Sequence, residues 1–212
     1  MNFLGIDFED WYHPQLIQKY LKKDDHEPRM FKGIDKIIEM LRKTETTATF
    51  FVVGKILETN PEILDKIIDN GHEIGFHTMN HDRIDSREFK NNFLNEITDF
   101  SKITNKRSKG FRAPTFSLNK KSSWIIDSLV KADYLYDSSI VPAKTNLYGN
   151  PDAEIKPYRI SSEDIEKDSD DGKLLEFPIL VSNFLGKKIP AGGGFYLRFL
   201  PTKITHNAIR KY

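Results

Sequence analysis

Thr49-Phe50-Phe51-Val52-Val53-Gly54, then Pro61 to Gly71, then Glu73-Ile74-Gly75-Phe76-His77, is the stretch that decides the fold. Its first five residues are β-branched or aromatic without a break, the mark of a strand buried on both faces. Pro61 suits the first turn of a helix, Ile63, Leu64, Ile67 and Ile68 recur at helical spacing, and Asn70-Gly71 is a stop signal. A second buried strand follows in Glu73 to Phe76, with His77 just past its end. Two strands joined by a helix are the parallel β/α unit, because parallel pairing needs a crossover of this length.

The alternation continues on both sides. Upstream, Phe3-Leu4-Gly5-Ile6 reads as a buried strand that runs at once into acids, and Met30 to Leu41 carries Ile34, Ile37, Ile38 and Leu41 at helical period. Gly54 reads as the residue that closes the Thr49–Val53 strand. Downstream, Phe89, Phe93, Ile97 and Phe100 mark a long helix, followed by a strand at Gly110-Phe111-Arg112. A helix over Ser122 to Ala132 and a strand at Tyr134-Leu135-Tyr136 come next. After Pro142 the pattern loosens, and Pro201 to Tyr212 reads as a helix that stops without a cap. At least four units follow one another without a linker, so residues 1–212 are expected to form one α/β domain.

With 212 residues, 38% of them hydrophobic, the chain can bury a full core without staples. Lys plus Arg number 32 and Asp plus Glu 31, and no basic block exceeds the length of Lys22-Lys23, which argues against a nucleic-acid partner. The absence of cysteine excludes disulfides, thiolate metal sites and cysteine nucleophiles. No apolar run approaches the ~18 residues of a membrane span, and the N-terminus lacks the layout of a signal peptide. The default placement is therefore cytoplasmic. Asp164 to Gly172 is an acidic stretch with an EF-hand flavour, but it lacks the Glu at the twelfth position and reads as a solvated loop.

In β/α folds the working side chains gather at the C-terminal strand ends. Three strands here end in polar residues: Asp7-Phe8-Glu9-Asp10, His77-Thr78-Met79-Asn80-His81, and Arg112-Ala113-Pro114-Thr115. His77 and His81 are four apart, a spacing that on one helical turn places both imidazoles on one face. Two imidazoles and one carboxylate leave a coordination position for water, the arrangement of a catalytic rather than a structural zinc. Such an ion brings the pKa of bound water toward ~7. The acids Asp7, Glu9 and Asp10 lie among Phe8, Trp11 and Tyr12 and would repel one another without a neutralising cation. A metal and Arg112 would supply that charge, one carboxylate ligating and another left free to take a proton.

Beyond these spacings, the chain resembles the NodB-homology polysaccharide deacetylases, a carbohydrate esterase family. The resemblance is carried by Gly71-His72-Glu73-Ile74-Gly75-Phe76-His77-Thr78-Met79-Asn80-His81, which holds a His-[Ser/Thr]-x-x-His motif, by Thr49 to Gly54, and by Gly110 to Ser117. The Asp-Phe-Glu-Asp-Trp-Tyr-His opening, Tyr136-Asp137-Ser138-Ser139 and Pro190 to Arg198 are similar to a branch associated with exopolysaccharide synthesis. This resemblance implies a distorted (β/α) barrel and one divalent metal, zinc, held by His77, His81 and either Asp10 or Glu9, with Asp10 favoured. It implies Asp7 as general base, or Glu9 if the opening is aligned the other way. Arg112 would hold the base, and a backbone N–H near Thr115 would stabilise the oxyanion. His72 is expected to be a packing and hydrogen-bonding residue, His13 to line the cleft, and His26 and His206 to be surface residues. The family's late histidine acid has no counterpart after Gly194, so a C-terminal portion is expected to be missing. The implied activity is removal of N-acetyl groups from amino sugars of a carbohydrate polymer or its precursor. Two alternatives stand beside it: an allantoinase-like hydrolase of a small cyclic amide, and a non-catalytic carbohydrate-binding scaffold that stacks sugars on Trp11, Tyr12, Phe116 and Tyr196.

Overall fold

A computed structural model describes residues 3–22, 27–86, 89–184 and 186–211. The elements run β1 (Gly5–Phe8), α1 (Gln15–Gln18), α2 (Phe31–Lys43), β2 (Thr49–Val52), α3 (Gly54–Thr59), α4 (Glu62–Asp69), β3 (Glu73–Phe76), α5 (Phe89–Ile103) and β4 (Gly110–Phe111). A 3-10 turn (Pro114–Phe116) then leads to α6 (Trp124–Lys131), β5 (Tyr136–Asp137), β6 (Tyr158–Ile160), β7 (Leu174–Glu176), β8 (Val181–Phe184), β9 (Lys187–Pro190), α7 (Gly194–Phe199) and α8 (Thr202–Lys211).

Seven strands form one sheet in the order β1-β2-β3-β4-β5-β7-β6, and β8 with β9 makes a separate hairpin. Every neighbouring pair from β1 to β7 is parallel, while β6 lies antiparallel on the outer edge. The expected α/β class with a parallel sheet is what the chain adopts. The sheet curls: the Phe3 ring, just before β1, stacks on Phe177 at 4.8 Å and meets Tyr136 of β5 edge-on at 5.6 Å. Among the described residues no ladder joins β6 back to β1, so the barrel is an open, distorted one.

Strand alternation sorts the side chains between two faces. Ile6, Phe8, Phe50, Val52, Ile74, Phe76 and Phe111 face outward, where α2, α4, α5 and α6 cover them with Ile34, Ile38, Leu41, Ile63, Ile67, Phe93, Phe100, Ile125 and Leu129. The opposite wall faces the barrel interior, and it alternates very small with very large residues. A Cβ on Gly5 would stand 2.5 Å from Arg112, one on Gly75 would strike Phe51, and one on Gly110 would strike the Tyr136 ring. Three glycines thus make room for the three large side chains that fill the centre.

Some local expectations change. Phe3 and Leu4 are 40% and 41% exposed and precede the strand, because Phe3 caps the open end of the barrel instead of entering the sheet. Gly54 does not end β2 in a loop but opens α3. Its N–H donates to Thr78 O (2.9 Å) and that of Lys55 to Met79 O (2.9 Å), so two amides that a helix start leaves unpaired are satisfied by the loop after β3. The acidic stretch 164–172 is a loop, held to β6 by Arg159 and Asp168. No described helix is long and apolar enough to cross a membrane.

Candidate metal centre

Parallel strands deliver their C-terminal ends to one rim, and the in-register set Asp7–Phe51–Gly75–Gly110 fixes the height of each polar residue. One step further up, Glu9, His77 and Arg112 share that rim. Ligand atoms of Glu9, His77 and His81 all lie within 4.8 Å of one another. Glu9 Oε2 is 2.5 Å from His81 Nε2, and the two imidazole centroids are 5.0 Å apart. The Arg112 carbonyl can only accept, so His77 Nδ1, 2.7 Å away, must carry the proton that it donates. That leaves Nε2 as the free lone pair of His77. Apart from that His81 nitrogen, no donor among the described residues reaches Glu9 Oε2. Two imidazole nitrogens and a carboxylate oxygen turned toward one another with no proton assigned between them are a donor set that fits a divalent cation.

The histidine loop is not the helical turn that the spacing suggested. Thr78 and His81 adopt left-handed backbone angles (φ 57° and 62°), and Met79 N–H is held by the buried carboxylate of Glu96 at 2.9 Å. A β-branched residue with positive φ is strained, and such strain persists only where surrounding contacts enforce it.

Asp10 is not brought to the histidines. Period-two alternation turns it to the opposite face from Glu9, where it is 2% exposed and its carboxylate accepts from the N–H of Arg29 (2.8 Å), Met30 (3.4 Å) and Trp11 (2.9 Å). Its charge therefore caps the start of α2, where a helix favours an anion. Alternation along β1 was the signal that separates the two acids.

Asp7 shares Glu9's face and pairs with Arg112, Nη1 to Oδ1 2.8 Å. Burial pushes the Asp7 carboxyl up, but the Arg112 guanidinium and then the imidazoles of His77 and His81 outweigh it and hold it below the usual value. Arg112 is itself clamped: Nε donates to Ser138 O (2.9 Å), Nη2 to Ser138 Oγ (2.8 Å), and the guanidinium lies 4.2 Å from the Phe51 ring centroid. Burial, opposed mainly by Asp7, pushes His77 down and keeps it neutral, as a metal ligand requires.

Thr115 sits in the 3-10 turn with φ 54° and ψ 27°, and Phe116 beside it has φ 49°. Described hydrogen bonds of this turn run from Phe116 N–H to Ala113 and from Ser117 N–H to Pro114, and none uses the Thr115 N–H. His13 does line the cleft, its ring 5.8 Å from that of His81. Its Nδ1 accepts the Asp10 N–H at 2.7 Å, and burial, then the neighbouring His81 ring, pushes its pKa down to about 4. His72 packs on the Phe50 ring at 5.5 Å, but neither of its ring nitrogens finds a partner. His206 is exposed, and His26 lies outside the described residues. Of the candidate sugar-stacking aromatics, Phe116 meets Tyr148 edge-on at 5.2 Å, and Trp11 at 36% exposure is covered by Arg29. Sequence reasoning did not assign Ser138, Ser139 or Glu176, all buried behind Arg112.

Residues 20–132, more than half of the chain, match the family model described as polysaccharide deacetylase. The chain belongs to the polysaccharide deacetylase family. Residues 138–212 match a second model, described as a domain of unknown function (DUF3473). A Bacillus cereus peptidoglycan-N-acetylglucosamine deacetylase is 34% identical over 87 residues, 40% of either chain. A Bradyrhizobium chitooligosaccharide deacetylase is 37% identical over 62 residues, 29% of this chain and 27% of that one. This member therefore spans less than half the length of these curated relatives. Among solved structures, a Mycobacterium smegmatis protein assigned as a polysaccharide deacetylase superposes with TM-score 0.60 at 22% identity, over 84% of this chain and 57% of that one. Puue allantoinase superposes with TM-score 0.55 at 14% identity, over 85% and 62%. Both likenesses support the fold.

Proposed function

We propose that this family member hydrolyses the N-acetyl group of an amino sugar in a carbohydrate polymer or its precursor, using one divalent metal. The observation that carries the proposal is the convergence of Glu9, His77 and His81 beside the Asp7–Arg112 ion pair. In this reading Glu9, His77 and His81 hold the ion, and Asp10 supports the loop between β1 and α2. The mixed nitrogen and oxygen donor set favours zinc. When bound, the ion supplies a Lewis acid for the acetamide and makes water nucleophilic at neutral pH.

The remaining work belongs to side chains of the rim. Asp7, kept ionised by Arg112, accepts the proton of the attacking water, and the sugar amine takes up a proton as its C–N bond to the acetyl carbon breaks. Arg112 does not touch the acetamide; it fixes the direction in which the Asp7 lone pairs point. The free Thr115 N–H is offered to the oxygen on which negative charge develops, a contribution worth roughly 3–4 kcal/mol in other oxyanion sites. Residues 1–212 act as one deacetylase domain in this reading, supported by a sheet that runs continuously through the segments matched by both family models. The exopolysaccharide association suggested by the opening motif belongs to the same proposal.

The test combines metal content and acetate release from N-acetylglucosamine oligomers. Wild-type protein should carry one transition metal per chain and release acetate, while His77→Ala should do neither. Allantoin is the control substrate. Ring opening of allantoin without acetate release, or unchanged metal content in His77→Ala, would overturn the assignment.

A further inference from the structure

Behind Arg112, on the outward face of the sheet, two carboxylic acids lie side by side. Asp137 on β5 and Glu176 on β7 are register partners, and both are fully buried. Each has one oxygen with a conventional donor: Ser139 Oγ–H gives to Asp137 Oδ1 at 2.6 Å, and Ile140 N–H gives to Glu176 Oε1 at 3.0 Å. Among the described residues, no N–H or hydroxyl donor reaches Asp137 Oδ2 or Glu176 Oε2. Two ionised carboxylates could not remain so placed in a dry interior; a single proton between them satisfies both orphaned oxygens. Burial pushes both carboxyls up, Glu176 well up with the charge of Asp137 adding to it, so the pair holds a proton between its two members. Tyr158 on β6 packs against the pair, but its hydroxyl is already given to Ile165 O.

The consequence reaches the rim. Ser139 has one hydroxyl proton, and Asp137 takes it. Its lone pair is thereby aimed at the Ala113 N–H, which donates to Oγ at 2.8 Å. Ala113 connects Arg112, which holds Asp7, to the Pro114–Phe116 turn, which carries the free Thr115 N–H. We propose that Glu176, Asp137 and Ser139 form a buried relay of positioning residues that fixes the polarity of the Ser139 hydroxyl and so orients the Arg112–Thr115 segment. None of the three touches the metal ligands or the cleft. The relay's role in the reaction rests on the deacetylase reading, but its effect on the segment does not.

The experiment uses Ser139→Ala, Glu176→Leu and Glu176→Gln, with two readouts. The first is kcat and KM for acetate release from N-acetylglucosamine oligomers, alongside zinc content. The second is amide hydrogen exchange, residue by residue. Ser139→Ala orphans the Ala113 N–H, and Glu176→Leu removes the shared proton. Both should lower kcat by about ten- to a hundredfold, the scale of a small misplacement, with KM and zinc content nearly unchanged. Both should also speed exchange selectively over residues 111–117. Glu176→Gln restores a donor to Asp137 and an acceptor for Ile140, so it should recover most of what Glu176→Leu loses. Acceleration confined to 111–117 and relieved by Gln supports the relay, and uniform or absent acceleration overturns it, whatever the acetate assay gives. Absence of acetate release in the wild type would instead count against the deacetylase reading alone.

Discussion

Replacing Arg112 by Met is the sharpest test of how the base is held. Methionine fills much of the same space beside Phe51 but removes a guanidinium that lies 2.8 Å from Asp7 and is 5% exposed. Opposite charges with centres about 4 Å apart interact by roughly 4 kcal/mol at an effective dielectric constant of ~20. That figure is the ceiling on what Arg112 contributes to keeping Asp7 ionised. The Asp7 side chain keeps 29% of its surface open, so water screens part of the interaction and the net contribution falls below that ceiling. The sign follows from the balance at the site: burial pushes Asp7 up and Arg112 pulls it down, so the variant's carboxyl rises. Wild-type Asp7 contributes stability that is present above its unfolded value near ~3.9 and is lost as pH falls through its lower folded value. In Arg112→Met that contribution changes sign, because the carboxyl must be desolvated without a partner. The acid limb of kcat/KM for acetate release should therefore move up, and urea midpoints should fall most above the new Asp7 value. A uniform rate loss with the acid limb unmoved would refute the claim that Arg112 acts by keeping Asp7 ionised.

Glu9→Gln should lose most bound metal, whereas Asp10→Ala should retain it in protein that folds and cost about 0.5–2 kcal/mol as a lost helix cap, read by elemental analysis and urea melts. Gly110→Ala should destabilise the protein by about 1–3 kcal/mol through the clash with Tyr136, and Tyr136→Leu in the same chain should recover part of it. Phe100, fully buried against Phe76 at 4.5 Å, should cost about 3–5 kcal/mol when cut to Ala, lowering the midpoint without altering metal stoichiometry. Zinc at a hundred times its dissociation constant should raise unfolding free energy by about 2.7 kcal/mol, and a chelator should erase that gain; His77→Ala should show no response.

Strands β2 and β3 and helices α2, α4 and α5 were readable because burial on one or both faces leaves a periodic imprint on apolar residues. Strands β6 and β7 left little: each has three residues, flanked by loops whose hydrogen bonds depend on distant partners such as Asp168. The histidines and Arg112 could be named from their place at strand ends. Choosing between Glu9 and Asp10 needed the strand phase, which the resemblance alone did not fix. Glu176 had no local signal, since a carboxyl that shares a proton with another strand looks in sequence like any solvated acid. The left-handed turns at Thr78 and Thr115 were equally hidden, because threonine is a residue that local preference would keep out of them.

The glycine-lined inner wall also limits how this scaffold can change. Gly5, Gly75 and Gly110 yield their volume to Arg112, Phe51 and Tyr136, so no slack remains beneath the rim for a deeper cavity or a bulkier catalytic group. New specificities on this framework must be written in the loops above the strand ends, while the floor stays frozen by its own tight fit.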